Sequence, residues 1–109
     1  MRIILLIIPI CLGFSATLHE VSIVSFAFSP QSLTINTGDT VRWINNDTVP
    51  HTSTSDNGDW DSEALSNGDT FKQVFLNTGT FQYHCTFHSS MVADITVCIE
   101  GPLYCLDVV

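Results

Sequence analysis

The chain has 109 residues, enough for one domain and not two. It carries 3 Lys+Arg against 11 Asp+Glu, a formal net charge of -8 at pH 7. That balance excludes nucleic acid as a partner, because phosphate recognition needs clustered cations.

The first segment, MRIILLIIPICLGFSA, reads as a secretory signal peptide over residues 1–16. Arg2 is a minimal positive region, Ile3 to Phe14 form the apolar stretch, and Ser15-Ala16 are small residues suited to cleavage. The apolar stretch is shorter than the roughly 20 residues of a membrane span. The expectation is export, to a periplasm or the extracellular space, with retention as a hydrophobic anchor as the alternative. Cleavage removes Arg2 and Cys11. Arg42 and Lys72 are then the basic residues, and Cys85, Cys98 and Cys105 the cysteines. An odd count in an oxidising compartment predicts one pair and one thiol with another task.

The remaining chain shows short β-branched and aromatic runs, separated by Gly, Asn, Asp, Ser and Pro. The predicted strands lie at Val21 to about Ser29, Ser32 to Asn36, Thr40 to Asn45, Thr70 to Leu76, Thr80 to Cys85 and Val92 to Ile99. Such spacing predicts an all-β fold, a Greek-key β-sandwich of seven to eight strands, over residues 17–98. Residues 55–69, SDNGDWDSEALSNGD, form the one long polar stretch, with a short helical turn expected at Asp61 to Leu65.

Alternation along a strand assigns faces. Phe81, Tyr83 and Cys85 share the inward face, and Gln82 and His84 point outward. In the last strand Ala93, Ile95, Val97 and Ile99 are expected to be buried, with Asp94, Thr96 and Cys98 opposite. In the tail, residues 99–109, Gly101-Pro102 offers a turn that returns Cys105 towards Cys98. A disulfide there would contribute about 2.5 kcal/mol by chain-entropy reasoning.

The segment YHCTFHSSM places Cys85, His88 and Met91 three residues apart, and VPHT places His51 on a separate extended segment. Two imidazoles, a thiolate and a thioether are the ligand set of a blue copper electron-transfer site. Thiolate and thioether favour Cu(I), whereas imidazole suits both oxidation states. Zinc is the chemical competitor for two His and one Cys, although Met is a poor zinc ligand. His84 and His19 are assigned no role in the site.

These residues carry a resemblance. FAFSPQSLTINTGDTVRWINND, VPHTSTSD and NGDTFKQVFLNTGTFQYHC resemble successive segments of the cupredoxins, in particular the plastocyanin and amicyanin group. The likeness extends to about Val97, and the compact loop from Cys85 to Met91 is most similar to that of amicyanins. It implies one copper ion held by His51, Cys85, His88 and Met91 in a type 1 site. It also implies a monomer, not an enzyme, that shuttles single electrons between redox protein partners. Copper delivery or storage through the same ligands is the alternative.

Two departures from the family pattern suggest local consequences. Thr52 stands where many relatives have Asn, and its hydroxyl is expected to bond the loop around Thr86. Phe87 stands where compact loops usually have Pro, so its N–H is available to the Cys85 thiolate. Such a bond would raise the reduction potential, and Phe87→Pro would lower it. Asp56, Asp59, Asp61, Glu63 and Asp69 form either a solvated loop or a docking patch for a cationic partner. Electrons would pass at the exposed edge of His88, flanked by Pro50, Phe87 and Met91. Any association with a membrane surface would come through partners.

Overall fold

A computed structural model describes residues 15–99. Most of the expected signal peptide and tail, with Cys105, therefore lies outside the described residues. The strands are β1 (Leu18–Val24), β2 (Ala27–Ser29), β3 (Ser32–Asn36), β4 (Thr40–Asn45), β5 (Thr54–Ser55), β6 (Thr70–Val74), β7 (Gly79–Cys85) and β8 (His88–Cys98). They form two four-stranded sheets, ordered β2-β1-β4-β6 and β3-β8-β7-β5. β1 runs parallel to β4 and β3 parallel to β8; the remaining pairs are antiparallel. This is the all-β sandwich that the strand spacing predicts.

Alternation supplies the core between the sheets. Val21 and Ile23 of β1, Val41 and Trp43 of β4, Tyr83 of β7 and Ile95 of β8 are all buried. The Trp43 ring packs against Trp60, Phe71 and Tyr83, so aromatic side chains fill this part of the interior. Cys85 ends β7 on the same inward face as Tyr83, as parity requires.

Three local expectations are corrected. No helical turn forms at 61–65: Asp61 bridges Thr54 and Leu65 bridges His51, so this backbone pairs with the 51–55 segment. The amide of Ser62 likewise donates to the Ser53 carbonyl at 2.9 Å, not to its own preceding turn. β1 stops at Val24, where Ser25 and Phe26 take φ of 53° and 57° before the chain turns back into β2. At the other end, Cys98 is buried and disulfide-bonded, where strand parity had put it outside. Ile99, expected inside, is exposed, because the β3 partner ends at Asn36 opposite Cys98.

Asp39 anchors the start of β1. Its carboxylate accepts from the Thr17 amide at 2.9 Å, His19 Nε2 at 2.9 Å and the Asn36 amide at 3.0 Å. Burial opposes its ionisation, but the bonds from His19 and the two amides outweigh burial and hold the carboxyl below its usual range. A depressed folded value gives stability that is present above the unfolded carboxylate range and lost as pH falls through the folded value. Asp39→Ala should cost about 1–3 kcal/mol at pH 7. In urea unfolding at pH 3 and pH 7, the gap from the parent should narrow at the acid end.

Candidate metal centre

Three chain segments meet at one end of the sandwich. Cys85 and His88 are paired residues at the close of β7 and the opening of β8, joined through Thr86 and Phe87. The pairing shifts register between His84 and Cys85. β8 thus begins several residues before the expected Val92. His51 arrives from the loop after β4, and its backbone exchanges hydrogen bonds with Leu65 at 3.1 and 2.8 Å. Asn45, wholly buried, shapes that loop. Its amide donates to the carbonyls of Val49 at 2.9 Å and Leu65 at 2.8 Å, and its oxygen accepts from the Asp47 amide at 2.9 Å.

The resulting donor set is compact. Cys85 Sγ lies 3.6 Å from His51 Nδ1 and 3.6 Å from His88 Nδ1, and the three ligand atoms fall within 4.8 Å of one another. His51 and Cys85 are fully buried, and His88 is partly exposed. Met91 is buried on β8, within the hydrophobic core. Among the described residues Cys85 is the free cysteine. One soft thiolate and two imidazoles, brought together from separate elements with Cys85 and His51 shielded from water, suit a copper ion in either oxidation state.

The supporting contacts differ in part from the expected ones. The amide that reaches the Cys85 sulfur is that of Thr52, at 3.4 Å. Phe87 makes no such bond among the described residues, so Phe87→Pro removes no contact to the sulfur. The link between ligand segments does run through Thr52 and Thr86: Thr52 Oγ1 accepts from the Thr86 amide at 2.8 Å and meets its hydroxyl at 3.2 Å. Thr54 extends the network, its hydroxyl lying 2.8 Å from that of Thr52 and 3.1 Å from that of Thr86.

Two further residues at the site were not anticipated. Asp47 Oδ2 lies 2.9 Å from His51 Nε2. The Phe26 amide also donates to Asp47, and this, more than burial, sets its carboxyl below the usual range, with further help from Ser25 and His51. Phe26 is half exposed, yet its ring packs edge-on against both imidazoles, 5.1 Å from His51 and 4.9 Å from His88. Phe87 and Pro50 are exposed nearby in sequence, as expected, whereas Met91 is covered.

Asp56, Asp59, Asp61, Glu63 and Asp69 are all exposed, but most are engaged in shaping loops. Asp56 pairs with His84 Nδ1 at 2.6 Å, which keeps His84 away from the centre. Asp59 accepts from Ser55 at 3.3 Å, Asp61 from the Glu63 amide at 2.8 Å, and Asp69 from the Ser66 amide at 2.9 Å.

An eight-stranded sandwich with a largely buried cluster of two imidazoles and a thiolate at one end defines a small mononuclear metalloprotein. The chain belongs to the cupredoxin-like domain family, whose model matches residues 13–97. It is 35% identical to a plastocyanin of Scenedesmus fuscus over 86 residues, covering 67% of this chain and 88% of that one. It is 30% identical to an amicyanin of Paracoccus denitrificans over 82 residues, covering 71% of this chain and 63% of the relative. Among solved structures, a purple cupredoxin from Nitrosopumilus maritimus superimposes with a TM-score of 0.66 at 34% identity, covering 72% of this chain and 98% of that one. A copper-containing nitrite reductase of Thermus scotoductus shares the fold alone, at 24% identity and over 22% of its length.

Proposed function

We propose that this protein is a type 1 copper protein that carries single electrons between redox proteins and catalyses no reaction of its own. The observation that carries this reading is the Cys85 sulfur, fully buried and flanked by two imidazole Nδ1 atoms at 3.6 Å. His51, Cys85 and His88 would hold the ion, and Met91 would add a thioether. Copper, when bound, supplies one-electron redox chemistry. The protein's part is rigidity. The paired β7 and β8 ends fix Cys85 and His88, and the Asn45-braced loop fixes His51, so the donors rearrange little between oxidation states. The Thr52 amide draws electron density from the sulfur, and the buried setting excludes water.

The reading extends to an exported protein: residues 1–16 form a signal peptide, 17–98 the copper-binding domain, and 99–109 a tail joined by a Cys98–Cys105 disulfide. Adding Cu(II) should give an intense visible thiolate-to-copper band that bleaches reversibly on one-electron reduction. A pale site, or metal released on reduction, would favour delivery or storage.

Partner encounter falls to the partly exposed His88, with the apolar rings of Phe26 and Phe87 beside it. The uncompensated acidic charge, including Glu63, steers a cationic partner to this small domain. Charge of this kind acts on the association rate more than on affinity. The bimolecular electron-transfer rate with a cationic redox protein should therefore fall as ionic strength rises, read by stopped-flow absorbance. A flat profile would return the acidic stretch to a solvated loop.

A further inference from the structure

The Asp47 carboxylate ties the turn between β1 and β2 to the His51 imidazole. Its Oδ2 atom meets His51 Nε2 at 2.9 Å and accepts from the Phe26 amide at 2.9 Å, while Oδ1 accepts from the Ser25 amide at 2.7 Å. The residue is itself pinned at both backbone ends. Its amide donates to Asn45 at 2.9 Å, and its carbonyl accepts from Asn67 at 2.8 Å.

Ser25 and Phe26 both occupy the left-handed region, at φ 53° and 57°, without being glycine. Such a turn persists only where its surroundings hold it. Here the two amides of the turn point at one carboxylate, and the turn delivers the Phe26 ring across both imidazoles at nearly right angles, 88° and 86°.

We propose that Asp47 is a positioning residue of the metal centre, fixing His51 with Nε2 protonated and Nδ1 free for the ion, and holding Phe26 over both ligand rings. This rests on the copper-carrier reading. A carboxylate on the far nitrogen of a ligand imidazole selects its tautomer, fixes its ring and raises its basicity. A more basic Nδ1 and a nearby negative charge favour Cu(II) over Cu(I). Asp47 therefore lowers the reduction potential, opposing the Thr52 amide on the other side of the site.

The test is Asp47→Asn in the full chain, loaded with copper. Loss of such a partner typically weakens metal binding by about 10–100-fold. With the loss falling mainly on Cu(II), each tenfold difference raises the potential by about 59 mV for a one-electron couple. Protein-film voltammetry and competition titrations with Cu(II) and Cu(I) chelators read the two effects. A folded variant with unchanged potential and unchanged Cu(II) affinity would reduce Asp47 to a loop staple and overturn the proposal.

Asn places an NH₂ group against one of the turn's donors, so the variant can fail to fold. A measurement on the parent protein then decides. In nitrogen-15 NMR of the copper-free parent, His51 should show a slowly exchanging Nε2–H proton. A His51 that carries its proton on Nδ1 would overturn the proposal. The copper-free state is the one that decides, because an Nδ1 bound to the ion leaves the ring proton on Nε2 whatever Asp47 does. Failure of the copper-carrier reading shows instead as the absence of a thiolate-to-copper band in the parent.

Discussion

Cys85→Ser should abolish the intense visible band given by Cu(II) and lower Cu(I) affinity by orders of magnitude, while leaving the apo-protein folded. The band requires a thiolate orbital overlapping the metal, and among the described residues no other sulfur can replace this one in kind. Met91 offers only a thioether, and Cys98 is tied up in a disulfide at the far end of β8. Serine keeps the shape of the side chain to within one atom and presents a weak, hard donor to a soft ion. Its hydroxyl can still accept from the Thr52 amide, which lies 3.4 Å from the sulfur in the parent. Burial of that hydroxyl is therefore partly satisfied, and the cost in fold stability should stay near 1 kcal/mol. Absorption spectra after Cu(II) addition and apo-protein urea curves check the two halves separately. A persistent intense band in Cys85→Ser would remove Cys85 from the ligand set.

The reach of the sequence can be judged residue by residue. Cys85 was legible because strand parity is a local rule: Phe81, Tyr83 and Cys85 follow one another on one face, and the interior takes them in that order. The spacing of Cys85, His88 and Met91 was legible because a short connection between paired strands leaves few geometries. The Thr52–Thr86 tie followed from the family resemblance, since Thr52 stands where many relatives have Asn and its hydroxyl can also accept a bond. What escaped notice depends on contacts between distant segments. Asp47 meets Ser25 and Phe26 across the β1–β2 turn, and that turn carries no glycine to announce its left-handed backbone. The donor to the Cys85 sulfur escaped for another reason. Every residue but proline has an amide, so only the fold selects Thr52 over Phe87. The expected helical turn at 61–65 failed likewise, because residues 51–55 offer that segment backbone partners across the loop. The acidic composition gave the charge correctly but could not show that Asp59, Asp61 and Asp69 are also loop acceptors.

Asn45→Leu should be among the most damaging single changes outside the ligands, costing about 3 kcal/mol or more of stability and weakening copper binding in whatever remains folded. Leucine matches asparagine in shape and is at home in a core, so the loss measures hydrogen bonds more than volume. Three hydrogen bonds are lost at once: those to the Val49 carbonyl and from the Asp47 amide, and one of the two that the Leu65 carbonyl accepts, the other coming from the His51 amide. A buried polar group left without a partner costs about 1–3 kcal/mol, and water can reach only some of these. The damage is directed as well as large. The carbonyl of Leu65 sits beside the bridge that holds His51, and the amide of Asp47 belongs to the residue bonded to His51 Nε2. Both supports of one ligand therefore loosen together, whereas Cys85 and His88 remain fixed by the β7–β8 pairing. The variant should accordingly retain a thiolate-to-copper band, with altered intensity and faster copper loss to a chelator, alongside a lower urea midpoint. A variant that loses stability with no change in copper release would show that the loop's brace and the ligand's brace are independent.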